Sequence, residues 1–187
     1  MYTNNIGTTT NSEVFQFRAG VGFGTPLVIV NRVRISAVTQ GTGFNASSAP
    51  IQIALFKSTN WTASGTGGTA VSLGATCKQR TTMASSSGVN DFRYVSSAGG
   101  YLGAGTKTLE ANAMAALVIA APQNTISNGQ MMTGTILFES EVGNGSHPLV
   151  LASSNTQEGF SIMIVSSPSG GTFVMGIEVQ WTECATY

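Results

Sequence analysis

Phe173-Val-Met-Gly-Ile-Glu-Val-Gln-Trp181-Thr182 decides the fold class. Phe173, Met175, Ile177, Val179 and Trp181 share one parity, and Gly176, Glu178, Gln180 and Thr182 share the other. Successive side chains of a strand point to opposite faces, so this stretch has one apolar and one polar face. Large apolar groups aligned on one face cannot stay in water. At roughly 1.5–3 kcal/mol per buried side chain they set the register of the strand.

The same period recurs outward from this point. Phe160, Ile162 and Ile164 alternate with Ser161 and Met163, and Ile51, Ile53 and Leu55 face one way in Ile51–Lys57. Val14–Arg18 predicts a short strand and Leu27–Val38 a long one. In the long strand Leu27, Ile29, Val33, Ile35 and Ala37 share one parity and mark the apolar face. Val28, Val30, Arg32, Arg34 and Ser36 form the other, which turns polar halfway. Small-residue loops separate these runs, as at Thr39–Ala49, Ser64–Thr69, Ala84–Asn90, Ser96–Gly105, Val142–His147 and Ser166–Gly171. Short strands punctuated by Gly/Ser turns predict an all-β, antiparallel sandwich or barrel. At most one short helix is expected. Leu109–Ala121 is Ala-rich and ends at Pro122, and reads as a helix or turn at the front and a strand at the back. Residues 1–12 show no apolar period and read as an extended N-terminal arm. Residues 13–187 read as a single domain.

Composition narrows the function. Charged residues are only 9% of the 187, and 8 basic side chains balance 8 acidic ones. Phosphate neutralisation dominates nucleic-acid affinity, so a neutral chain with no basic stripe predicts no nucleic-acid partner. A weakly charged surface is poorly protected against association, which points towards other protein chains. No apolar run approaches the ~20 residues of a membrane span, and Met1–Ser12 lacks the pattern of a secretory signal. Cys77 and Cys184 are read as free thiols of a chain made in the cytoplasm. The sequons at Asn45, Asn60 and Asn144 are then chance matches in a Ser/Thr-rich chain.

Catalytic groups are scarce. His147 is the one histidine and Asp91 the one aspartate. His147 stands before Pro148 in a Gly/Asn-rich stretch, with nothing like a nucleophile elbow nearby. Two cysteines and one histidine fit no zinc spacing. Glu139 and Glu141 share a strand face, and Glu178 and Glu183 lie on or after the last strand. The first pair runs straight into a turn and reads as solvated strand-end charge rather than an acid/base pair. Gly20-Val-Gly22-Phe-Gly24 lacks the Lys-Ser/Thr of a phosphate loop. No cofactor is implied, and the expectation is a chain that is not an enzyme. Trp61, Tyr94, Tyr101 and Tyr187 lie in or near loops, and the first three are candidate exposed aromatics for a partner or a sugar.

Several stretches carry a resemblance. They are Glu13-Val-Phe-Gln-Phe-Arg18, the strand at Asn31–Ser36, Gly65-Thr-Gly-Gly-Thr69, Leu102-Gly-Ala-Gly-Thr-Lys-Thr-Leu109, His147-Pro-Leu-Val-Leu151, Gln157-Glu-Gly-Phe160 and Glu178-Val-Gln-Trp181-Thr-Glu183. Together they resemble the small structural proteins of tailed bacteriophages. The resemblance implies a virion component on the outer capsid surface, a decoration or cement protein with a jelly-roll-like sandwich. It implies the major capsid protein and further copies of the chain, as a trimer, for partners. It carries over no functional residue. Within that expectation the arm, through Tyr2, Thr3, Asn4, Asn5 and Ile6, is a candidate for pairing with a neighbouring subunit. The alternative is a receptor- or glycan-binding module of a tail or fibre, using Trp61, Tyr94 and Tyr101. A hydrolase built on Glu139 and Glu141 comes last.

Overall fold

The structure is a computed structural model that describes residues 1–3, 6–7, 9–20, 26–40, 50–73, 82, 85–96, 100–119, 131–140, 147–152, 157–167 and 171–184. Asn4, Asn5, Cys77, Glu141, Tyr187, the sequons at Asn45 and Asn144, and Gly22 and Gly24 lie outside the described residues.

Alternation produces strands wherever it was strong. The described elements are β1 (Ile6–Gly7), β2 (Ser12–Ala19), β3 (Leu27–Gln40), β4 (Ile51–Ala63), β5 (Gly68–Ala70), β6 (Val89–Val95), β7 (Thr106–Leu109), β8 (Ala115–Ile119), β9 (Met131–Glu139), β10 (Leu149–Leu151), β11 (Gly159–Ser166) and β12 (Thr172–Cys184). They form two antiparallel sheets. The five-stranded sheet runs β1-β12-β3-β10, with β9 also on β3; the seven-stranded sheet runs β5-β6-β2-β11-β4-β7, with β8 also on β4. The chain is an all-β sandwich.

The core lies between the sheets. Val33, Ile35, Phe173, Met175 and Ile177 come from one, and Phe15, Phe17, Ile53, Phe160 and Ile162 from the other. Phe17 stacks on Phe160 at 5.0 Å and meets Trp181 of the opposite sheet edge-on at 5.5 Å. Such aromatic pairs add about 0.5–1.5 kcal/mol each beyond the area they bury.

The structure alters four sequence expectations. In β3 the buried face changes parity: Val28 and Val30 are buried, and then Val33, Ile35 and Ala37. The cause is a bulge at Asn31, because Trp181 pairs with Val30 while Gln180 pairs with Arg32. One extra residue flips every later side chain, so Leu27 and Ile29 face away from the core.

The front of Leu109–Ala121 is not a helix. Leu109 ends β7, residues 110–114 bend, and β8 follows. The amides of Glu110 and Met114 donate to Lys57 and Leu55 carbonyls of β4, at 2.9 Å each. A sheet edge waiting for partners outweighs the small helical preference of alanine, worth tenths of a kcal/mol per residue.

The described part of the first seven residues lies on the chain's own sheet. Ile6 pairs with Phe173, Tyr2 bridges Gly176, and the Thr3 amide donates to the Met175 carbonyl at 2.8 Å. Thr3 and Ile6 are buried, and Tyr2 is exposed. Gly176 makes room for the Tyr2 ring, since a Cβ there would come within 3.1 Å of it. The stretch is an edge of its own sandwich, not a free arm.

Trp61 is fully buried and so is not one of the exposed aromatics. Asn60, at φ 52°, turns β4 just before it. The indole then lies on the outer face of the seven-stranded sheet, over Gly159, where a Cβ would sit 2.6 Å from its ring. Its Nε1–H donates to the Ala63 carbonyl at 3.1 Å.

Candidate functional site

Trp61 is one wall of a small buried compartment on that outer face. Its other members begin at a second bulge. Ile162 pairs with Phe15, but Met163 pairs with Glu13, leaving Val14 as the extra residue. The bulge places Glu13 on the same side as Gln16, although the two are three residues apart. Residues 64–67 and 100–106 cover them: the Leu102 amide donates to the Glu13 carbonyl at 2.8 Å, and the Gly103 amide to the Thr66 carbonyl at 2.9 Å.

Lys107, on β7, enters this compartment. Its ammonium donates to Glu13 Oε2 at 2.8 Å, with side-chain exposures of 2% and 3%. It also donates to the Ala104 carbonyl and lies 4.5 Å from the centre of the Trp61 ring. Gln16 Nε2 donates to the same Glu13 Oε2 at 2.7 Å and to the Gly103 carbonyl at 2.9 Å. Gln16 Oε1 accepts from the Gly65 amide at 2.9 Å. Burial disfavours the charged amine and outweighs the opposing help from Glu13, so the Lys107 pKa falls below its usual value. Buried charges survive only when paired and hydrogen-bonded, and here each has several partners. Sequence reasoning did not single out Glu13, Gln16 or Lys107. The available signal was two opposite charges set in Gly- and Phe-rich stretches of a chain with few charges.

The residues that sequence did single out are dispersed. Glu139 lies 3.7 Å from Arg32, which also meets Glu178 at 3.3 Å, in a half-exposed ladder across β9, β3 and β12. Surface pairs of this kind contribute about 0–1 kcal/mol. Asp91 pairs with Arg93 at 3.1 Å, and His147 is exposed. Cys184 is a free thiol. Tyr94 packs against the core, Tyr101 is 44% exposed beside Gly67, and Trp61 is buried, so the three aromatics do not share one groove. An open cleft of about 610 Å³ borders Tyr2, Val71, Leu73, Phe92, Val179 and Trp181, with Arg34 and Glu178 at its lining. Among the described residues no cluster of His, Cys, Asp or Glu is arranged to hold a metal.

Glu183 clamps residues 86–88. Its carboxylate accepts from Ser86 Oγ, from the Ser87 and Gly88 amides at 3.0 Å each, and from Trp181 Nε1 at 3.2 Å. Burial pushes its pKa up, but the hydrogen bonds together outweigh burial and hold it below the usual carboxylate value. A depressed folded pKa adds stability that is present above the unfolded pKa and is lost as pH falls through the folded one. Glu183→Gln is therefore expected to be destabilising near neutrality. Urea titrations should show the gap to the parent chain closing in strong acid; a gap independent of pH would show that the charge is not what holds residues 86–88.

Searches against known protein families, curated proteins and solved structures return no match to this chain.

Proposed function

We propose that the chain is a virion structural protein of a tailed bacteriophage, a decoration or cement protein that sits on the outer capsid and stabilises the shell. The reading rests on the sequence resemblance and on one structural observation, the edge strand β8. Natural sheets blunt their edges with charge, proline or bulges, because free backbone groups recruit another strand. Ala115-Ala-Leu-Val-Ile119 has no charge and no proline, and it pairs with Ile51–Leu55 of β4 without a register break. Among the described residues its other edge has no strand partner. Val118 is 58% exposed and Met114, just before it, 40%. Ile136 on β9 is 48% exposed. Such an edge suits a protein whose work is to hold neighbours.

The mechanism is mechanical. Copies of the chain pair with one another, as a trimer, and with the major capsid protein. Many modest contacts repeated over a symmetric shell then add up through avidity. The copy number of the protein in purified particles tests the location: hundreds of copies support a shell component, and a handful would assign it to a tail. Val118→Lys tests the edge. The side chain is exposed, so folding stability should stay within about 0.5 kcal/mol of the parent. Self-association, read by sedimentation at several concentrations, should fall at least tenfold in affinity. An unchanged oligomer would remove β8 from the interface.

A further inference from the structure

The Glu13 carboxylate holds two nitrogens on one oxygen. Lys107 Nζ and Gln16 Nε2 both donate to Oε2, at 2.8 and 2.7 Å. They are therefore no farther apart than those two bonds laid end to end. One nitrogen belongs to a nucleophile whose pKa is lowered by burial, and the other is the potential leaving group of a carboxamide. The carbonyl oxygen of that carboxamide already accepts a backbone amide proton, from Gly65. Aromatic and backbone groups exclude water, which would otherwise hydrolyse or dilute the reaction. An ion pair alone requires neither the amide nor the donor on its oxygen.

We propose that Lys107, Gln16 and Glu13 form a self-processing cross-link site, in which the Lys107 amine displaces ammonia from the Gln16 side chain and leaves an isopeptide bond between β2 and β7. Glu13 takes a proton from the Lys107 ammonium and frees its lone pair. Nζ attacks Gln16 Cδ, and the charge that develops on Oε1 meets the Gly65 N–H, a preorganised donor. A second proton leaves Nζ, and both protons pass through the Glu13 oxygen to Nε2. The Cδ–Nε2 bond breaks and ammonium departs. One N–C bond forms and one breaks, the positive charge of Lys107 leaves with the ammonium, and Glu13 ends as the carboxylate it began as. The new amide N–H remains beside it as a donor. No oxidant, metal or cofactor takes part.

The bond would join residues far apart in sequence, closing a large loop across the seven-stranded sheet. It does not depend on the virion reading, because the chemistry is internal to one chain.

The test is the mass of the full-length chain under denaturing conditions, after incubation of the folded protein. The expected result is a mass lower than the sequence mass by one ammonia, with a proteolytic fragment in which the Gln16 and Lys107 peptides are joined. Lys107→Arg and Glu13→Gln should each keep the full mass of their own sequence. Ammonia loss mapped to an Asn-Gly succinimide, loss of one water from a Glu13–Lys107 link, or a full mass with the two peptides separate would each overturn the proposal. The parent chain alone decides it, so a variant that fails to fold does not weaken the test.

Discussion

Phe17→Ala is expected to lower the unfolding free energy by about 3–5 kcal/mol, among the largest losses a core truncation produces. Phe17 is fully buried and touches three other rings. It stacks on Phe160, meets Phe92 edge-on at 5.6 Å, and reaches across to Trp181 in the other sheet. Removing it leaves a void between sheets that strands on both sides hold apart, so the site collapses poorly. The loss should appear in urea titrations as a lower midpoint with an unchanged slope. A loss below about 1 kcal/mol would mean that the sheets close over the gap, and that this cluster does not join them.

Glu13→Ala is the second large effect, read against parent chain in which Lys107 and Gln16 are not joined. It leaves the Lys107 ammonium and a Gln16 amide proton facing an empty site inside the outer compartment. Removing one partner of a buried pair typically costs about 3–5 kcal/mol, because the other charge stays buried and uncompensated. The double variant Glu13→Leu with Lys107→Met should recover most of that loss, since it removes both charges and leaves only the Gln16 amide proton without its acceptor. The coupling between the two positions should be strong, as for residues sharing one hydrogen-bond network. Additive losses would show that the pair is solvated and the compartment open.

How far the fold was legible follows from where the pattern was unambiguous. β12 reads plainly because Ile177, Val179 and Trp181 alternate with Glu178, Gln180 and Thr182. β3 does not, because Leu27, Val28, Ile29 and Val30 are apolar on both parities, and the bulge at Asn31 left no mark in that run. The segment 109–121 misled because alanine favours a helix only slightly, while the edge of β4 that claims it lies elsewhere in the chain. Ile6 carries no period by itself, and its docking is through backbone bonds to β12 that no side-chain pattern records. The compartment around Trp61 was the least legible part. It needs a bulge at Val14, a turn at Asn60, a glycine at 159 and a cover made of residues 64–67 and 100–106. Each is local and ordinary, and only the folded chain brings them together. Trp61 read as exposed because its polar and small neighbours look like a loop; in the fold it lies in β4, and other loops cover it.

The pairing of β1 with β12 bears on how the protein is made. A ribosome releases β1 first and β12 last, and β12 is also the partner that β3 needs along its whole length. The five-stranded sheet therefore cannot be completed until β12 has emerged. Folding of that sheet waits for β12 and then closes contacts of long sequence separation, the regime in which all-β chains fold in milliseconds to seconds. During that wait the apolar faces of the early strands are open to other nascent copies. Chaperone demand and yield should respond to anything that delays the last strand far more than to changes in the middle of the chain.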